Sequence, residues 1–473
     1  MKSQPGRAIF ISVPHGTSAG NMLRAGGLLD RVLDADPALR VVLLSPMSRD
    51  AAFVREFARD RVELVDQPAH VPHGLEARLL AIVQASYLSR GQTASVRIRL
   101  EEARANGIIR GMGIKAAIGR VLVEPFTRNR SRYAVADRLV SHPEMERLFD
   151  THQPMLVIAA NPGLVFSEVP MLRTARRRGV FSMAIDPSWD NFTNKLVPVR
   201  HVDRLVVWND IMKEQAMTLH GYRAEMIRVA GAPQFDAHFR AQNRSTRDEF
   251  FRRIGADPAR PLIALTTTPR SLYAHHDHVL RALVPAIRGG ALAGAQVLVR
   301  LHPRDEVGAY QEFMGLGDVI IEKPFRDTVK VADGLAIDVM PEHQRHLGDT
   351  MCYADVVVNV ASTITIEACI FDTPVVNICF DGPGETPYVK SARRYYSFTH
   401  YVNITSRGAV RVATSPGEMV TMVANYLADP GLDAAGRKQV VLDQCRFTDG
   451  RSAERVIGFV LDEIGAVARR AAA

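Results

Sequence analysis

At 473 residues the chain is too long for one ordinary hydrophobic core, so two domains are expected. Its 47% hydrophobic and 23% charged residues suit a globular protein, and the formal charge of +8 points to an anionic partner. No apolar run reaches membrane-spanning length, the N-terminal run 8–11 is no signal-peptide core, and the four cysteines (Cys352, Cys369, Cys379, Cys445) show no metal-ligand spacing. They read as buried thiols in a reducing cytoplasm.

In chain order, residues 7–13 read as a first strand, followed by the small-residue loop Pro14-His15-Gly16-Thr17-Ser18-Ala19-Gly20-Asn21. One helix then carries Met22, Leu23, Leu28, Leu29, Val32 and Leu33 on one side. Residues 40–45 are a strand, 50–59 a short helix and 61–65 a third strand. That βαβαβ order is the opening of a doubly wound parallel sheet, whose ligands sit at the carboxyl ends of the strands. The loop after the first strand lacks the GxGxxG pattern, so no dinucleotide is expected.

Residues 74–142 form a helical, basic insertion. Between Arg90 and Arg138 stand eleven arginines and lysines against Glu101, Glu102, Glu124 and Asp137, a local excess of 11 − 4 = +7. Ile108, Ile109, Met112, Ile114, Ile118, Val121, Leu122 and Val123 are interleaved with them. Such a segment suits an anionic membrane surface or an anionic acceptor; the alternative is an insertion whose basic face only meets water.

Alternation resumes with strands at 155–160, 180–185, 204–208 and 226–229, with a helix at 210–220. Asp186-Pro187-Ser188-Trp189-Asp190-Asn191 follows the second of these strands. Gly231-Ala232-Pro233 punctuates the chain, and 241–249 reads as a polar connector. A second series has strands at 262–265, 296–301 and 319–322, a helix from about residue 278 and another at 342–353.

Residues 353–382 then give strand, hydroxyl-bearing turn, helix and strand. Ser362 and Thr363 are expected to cap that helix, where backbone N–H groups favour phosphate. Glu367, one turn in, is placed to accept from ribose hydroxyls; otherwise it is a solvated helix residue. After residue 416 the chain is expected to be helical. Thr267, Thr268, Arg270, His302, Arg304, Ser362, Thr363 and Glu367 all follow predicted parallel strands. Together they describe a site for a phosphorylated ligand.

These motifs resemble the GT-B glycosyltransferase superfamily, and within it bacterial capsule and cell-envelope transferases, bacterial sialyltransferases and CDP-glycerol glycerophosphotransferases. Leu301-His302-Pro303-Arg304 is similar to the family's HP motif. Ala361-Ser362-Thr363-Ile364-Thr365-Ile366-Glu367-Ala368, followed by Thr373-Pro374-Val375-Val376, resembles its phosphate turn and ribose-binding glutamate. Asp449-Gly450-Arg451-Ser452 resembles the start of the last helix in the glycerophosphotransferases, and Gly231-Ala232-Pro233 with Asp236 resembles the interdomain hinge. The acidic motif that carries the sialyltransferase base is absent.

The resemblance implies an α/β fold of two Rossmann-like doubly wound domains facing across a crevice. Residues 1–235 would form the acceptor domain with its insertion, and 236–450 the nucleotide-donor domain. Residues 451–473 would be a C-terminal helix packing back towards the first domain. It implies a metal-independent bacterial transferase with no tightly bound cofactor. The donor would be UDP-, CDP- or CMP-linked, and the acceptor a polysaccharide or lipid-linked. The general base is expected in the first domain, with His15, Asp186 and Asp190 as candidates. The expected place is the cytoplasm, with peripheral contact at the inner membrane face and no nucleic-acid partner. The same fold leaves two alternatives open, a nucleotide-sugar 2-epimerase and a non-catalytic nucleotide binder.

Overall fold

The computed structural model describes residues 7–67, 70–107, 111–122, 132–324, 328–331, 334–337 and 341–472. The chain forms two compact units. The first comprises 1–234 with 329–339 and 451–473, and the second 235–328 with 340–450.

In the first unit seven strands, β1 (Arg7–Ser12), β2 (Leu39–Ser45), β3 (Val62–Asp66), β4 (Pro154–Ala159), β5 (Phe181–Ile185), β6 (Arg204–Val207) and β7 (Ile227–Val229), build one sheet. Its order is β3-β2-β1-β4-β5-β6-β7, and every neighbouring pair is parallel. The order reverses between β1 and β4, which is where such sheets bind ligands. The central strands are apolar on both faces because helices cover both faces. Ile9, Ile11, Leu43, Leu156 and Ile158 are all fully buried.

The first helical stretch is broken where one helix was expected. A turn at Gly16–Ser18 leads into a wide-turned segment Ala19–Arg24, and a second helix runs Leu28–Ala35. The break falls at Gly26 and Gly27, at φ of 90° and 67°. A Cβ on Gly26 would stand 3.0 Å from the Ala453 Cβ, so glycine admits the last helix, Ser452–Ala472, to the core. Val456, Ile457, Val460 and Ile464 of that helix are buried there, each such side chain contributing about 1.5–3 kcal/mol.

Among the described residues, five helices lie in the insertion between β3 and β4: Gly74–Ser89, Ala94–Ala105, Met112–Leu122, Ala134–Leu139 and Pro143–His152. Arg110, Arg128, Arg130, Ile108, Ile109, Val123 and Glu124 lie outside the described residues. A buried ion network fastens the insertion to the sheet. Arg173, 1% exposed on the helix Val169–Arg178, reaches Glu76 at 2.6 Å and Asp137 at 3.1 Å. Arg200 also bonds Asp137. Removing one partner would strand a buried charge, at a cost of about 3–5 kcal/mol.

The second unit has β8 (Leu262–Thr266), β9 (Gln296–Arg300), β10 (Val319–Glu322), β13 (Val356–Asn359), β14 (Val375–Ile378) and β15 (Arg411–Ala413). They form an all-parallel sheet in the order β10-β9-β8-β13-β14-β15, with its reversal between β8 and β13. In the stretch of chain between β10 and β13, of which 329–339 belong to the first unit, a separate two-stranded sheet joins β11 (Thr328–Val331) and β12 (Gly334–Ile337). The expected polar connector at 241–249 is partly helical. Thr246 and Glu249 form a reciprocal capping box that starts the helix Arg247–Ile254. Three-residue β15, too short to show a pattern, precedes the C-terminal part, which is helical as expected at Pro416–Ala428, Ala434–Cys445 and Ser452–Ala472.

Candidate active site

In the second unit three loops leave the adjacent strands β9, β8 and β13 at their carboxyl ends, at the reversal of strand order. The first two are tied together. The backbone N–H of His302, after β9, donates to the Thr267 hydroxyl, after β8, at 2.8 Å. His302 Nδ1 in turn accepts from the Arg304 backbone N–H at 3.0 Å, which places the ring proton on Nε2. Burial, then the Arg304 charge, lowers the His302 pKa to about 4, so the ring is a neutral donor at pH 7. Arg270 and Arg304 are exposed at the same edge.

Thr266 and Thr268 carry buried hydroxyls without a hydrogen-bond partner. Thr268 N–H donates to Nε2 of His276 at 3.2 Å, so the His276 proton sits on Nδ1, which is buried and unpartnered. Burial lowers the His276 pKa to about 4. The Tyr273 ring meets the His276 ring edge-on at 4.9 Å, and its hydroxyl is unpartnered too. From sequence, His275-His276-Asp277-His278 was a poor metal site, because adjacent histidines do not all face one point, and no other role was expected of it. The available signal was their position, at the start of the helix that follows the first strand of the unit.

The third loop is braced from beneath. Asn359, at the end of β13, and Asn377, on β14, are fully buried and hydrogen-bonded to each other. Tyr401 donates to Asn377 at 2.8 Å and pairs with Thr365 at 2.9 Å. This network holds the Ser362-Thr363 turn in place. Capping is weaker than expected. Thr363 makes no side-chain cap to the helix Ile364–Ile370, and Ser362 Oγ accepts only from the Ile364 N–H, at 3.3 Å.

Glu367 is not a solvated helix residue. It is 8% exposed, and Oε2 accepts from His238 Nε2 at 3.1 Å. Further along the same edge a cavity of about 670 Å³ is lined by Cys379, Phe380, Asp381, Thr386, Arg393 and Thr414. Cys379 and Cys352 are only partly buried, in contrast to Cys369 and Cys445.

In the first unit His15 follows β1, and its carbonyl accepts from the N–H groups of Ser18 and Ala19. Asp186 follows β5 and is 1% exposed. Its Oδ1 accepts from Ser188 N–H at 3.0 Å and Asn191 Nδ2 at 2.8 Å, while Oδ2 is buried without a partner. Burial raises its pKa to about 7. Asp190 is more open, its side chain 18% exposed. It accepts from Ser188 Oγ at 2.5 Å and from Asn194 Nδ2 at 3.2 Å, with Lys195 Nζ at 3.6 Å. Ser188 therefore bonds both aspartates. At the carboxyl end of β4, fully buried Glu168 accepts from Ala160 N–H at 2.6 Å, and burial raises its pKa to about 8.

His70, Glu76 and His142 lie close enough together to suggest a metal site. Arg173 already occupies it. The guanidinium is 2.6 Å from Glu76 and 2.7 Å from His142 Nε2, and burial followed by that charge lowers the His142 pKa to about 4.

Residues 136–462 match the family described as CDP-glycerol:poly(glycerophosphate) glycerophosphotransferase. No curated protein sequence matches the chain. Among solved structures, MnaA of S. aureus with UDP is similar at 12% identity, covering 96% of each chain with a TM-score of 0.52. The UDP-GlcNAc 2-epimerase of Neisseria meningitidis is similar at 9% identity over 96% of this chain and 100% of its own, with a TM-score of 0.51. The wall teichoic acid polymerase TagF is similar at 10% identity over 99% of this chain and 90% of its own, with a TM-score of 0.50. These likenesses fix the fold, two parallel-sheet α/β domains of GT-B architecture. The chain belongs to the CDP-glycerol:poly(glycerophosphate) glycerophosphotransferase family and is a transferase that draws on a nucleotide-activated donor.

Proposed function

We propose that the enzyme transfers glycerol phosphate, or a sugar, from a CDP-, UDP- or CMP-linked donor to a bacterial cell-envelope polysaccharide, such as a capsule, or its lipid-linked precursor. The family match over residues 136–462 carries this reading, and the CDP-linked donor ranks first because the family's description names it. The second unit holds the donor. Its diphosphate takes hydrogen bonds from the Thr267, Thr268, Ser362 and Thr363 hydroxyls and the His302 Nε2–H, and charge from Arg270 and Arg304. Glu367 accepts from the ribose through the oxygen that His238 leaves open. The donor is a substrate, with no tightly bound cofactor, and side-chain charge lets the reaction proceed without a metal.

The acceptor hydroxyl is deprotonated in the first unit. Asp190 is the base we assign, because its carboxylate is partly exposed, whereas Asp186 is sealed and fixes the turn through Ser188. His15 is the second candidate. With CDP-glycerol, the acceptor oxygen bonds to the phosphorus that carries glycerol, the bridging P–O bond breaks, and CMP leaves with the electron pair. With a UDP-sugar the same oxygen attacks the anomeric carbon and UDP leaves. In both cases negative charge grows on the departing phosphate, where preorganised donors act most strongly.

Among the described residues no helix is long and apolar enough to cross a membrane. We assign the enzyme to the cytoplasm, in peripheral contact with the inner face of the membrane. Incubation with a panel of nucleotide-linked donors, with and without acceptor, tests the reading. Nucleotide release that depends on acceptor supports it. A free 2-epimer formed without acceptor would identify an epimerase, and binding without turnover a non-catalytic protein.

A further inference from the structure

The insertion helix Ala94–Ala105 is docked on the turn that carries Asp190. Thr93 caps it, accepting from the Val96 N–H at 3.1 Å, and donates its hydroxyl proton to the Thr193 carbonyl at 2.7 Å. Val96 and Leu100 are buried with Tyr87 and Leu88, and Leu196 packs on the same cluster. At about 100° per residue, Val96, Arg99, Leu100 and Ala103 form one stripe, so an arginine stands on the packed face of the helix. Its Nε donates to Asn194 Oδ1 at 3.3 Å, and Asn194 Nδ2 donates to Asp190 Oδ2 at 3.2 Å.

The guanidinium is therefore one side chain away from the base assigned above, and the same Asp190 oxygen meets Lys195 Nζ at 3.6 Å. Glu102 Oε2 lies 3.4 Å from Arg99 Nη1, but both side chains are more than a quarter exposed, at 29% and 28%, so this pair holds the arginine only weakly. Tethering the insertion to the turn would need a hydrogen bond to Asn194 and no charge. A planar cation beside a base suits a phosphate on the molecule that the base deprotonates. Transfer from CDP-glycerol makes a phosphodiester, so each unit added leaves a phosphate three carbons from the new terminal hydroxyl.

We infer that Arg99 selects the acceptor, holding the phosphate of its terminal unit while Asp190 takes the proton from that unit's hydroxyl. Each product is then the preferred next acceptor, and extension outruns transfer to a neutral end. The inference rests on the transfer and the base proposed above. Arg99 itself stands in the insertion, outside the residues matched to the family.

Kinetics of the full chain on two acceptors of equal length, one ending in glycerophosphate and one in a neutral sugar, test it. Wild type should favour the charged end about tenfold or more in kcat/KM. Arg99→Gln keeps an N–H for Asn194, and should raise KM for the charged end about 10- to 100-fold while the preference falls towards one. Arg99→Lys, with the charge but not the fork, should fall in between. A tether alone predicts that kcat drops alike on both ends and the preference stays. That result, or equal wild-type kcat/KM on the two ends, would overturn the inference. Calorimetry with glycerophosphoglycerol needs no turnover, and its affinity should fall by the same factor in Arg99→Gln. Wild type that binds glycerophosphoglycerol no better than glycerol would also overturn the inference, whether or not the variants fold. A wild type that transfers from no donor yet shows the calorimetric loss would sink the proposed function and leave the anion site standing. Transfer with no change of KM in Arg99→Gln would do the reverse.

Discussion

Replacing His302 by alanine should weaken donor binding without weakening the fold. Nδ1 is occupied by the Arg304 N–H, so Nε2–H is the only proton the ring can offer. The pKa of about 4 keeps the ring neutral, which makes the lost contact one hydrogen bond to an ionised phosphate rather than an ion pair. Such a bond contributes roughly 1.5–3 kcal/mol, a loss of about 10- to 150-fold in affinity. Arg304 is exposed, so water replaces the acceptor its N–H loses, and the melting temperature should hardly move. Calorimetry with CDP-glycerol should show the loss, with His302→Gln recovering part of it. Protonation of His302 contributes nothing between about pH 6 and pH 8, since the empty-site pKa lies below that range. An unchanged Kd in His302→Ala would refute the assignment. Affinity that climbs steeply as pH falls from about 7 to 6 would refute the neutral-donor argument.

Asp190→Asn should lower kcat by about 10²- to 10⁴-fold and leave the donor Kd in place, since general-base catalysis carries that much; full activity would move the base to His15 or Asp186. Glu367→Gln should weaken ribonucleotides more than inorganic diphosphate, which has no vicinal hydroxyls, and equal losses measured by calorimetry would remove Glu367 from the ribose. Glu168→Gln should stabilise the fold increasingly with pH. The folded carboxyl keeps its proton up to about pH 8 and the unfolded one loses it near 4.5, so wild-type stability falls as pH rises through that window. At pH 7 the penalty is roughly 3 kcal/mol. Thermal melts from about pH 5 to 8 check it, and a variant-minus-wild-type difference that does not grow would contradict the burial argument.

The sheets were legible because buried parallel strands are short β-branched runs, and β13, spelled Val356-Val357-Val358-Asn359, stands between clear breakers. Motif spacing also brought Thr267 and His302 to one edge before their hydrogen bond was visible. Contacts between residues far apart in sequence were hidden. The His238–Glu367 bond spans 129 positions, and no local pattern encodes it. The Asn359–Asn377–Tyr401 brace is built from residues that individually look like ordinary loop or strand positions. The break at Gly26 was not foreseen, because its cause is Ala453, on the last helix. The insertion was recognised as basic and apolar, but which side chains face outward depends on the small residues packed behind them.

The most direct test of the account is the nucleotide released when CDP-glycerol meets a glycerophosphate-primed acceptor. Attack on the phosphorus bearing glycerol requires that CMP appear in step with acceptor extension, one for each unit added, and that no CMP form without acceptor. Extension from a UDP-sugar with UDP release, and none from CDP-glycerol, would keep the enzyme a transferase but contradict the proposed reaction. No acceptor-dependent release from any nucleotide-linked donor would contradict the account itself.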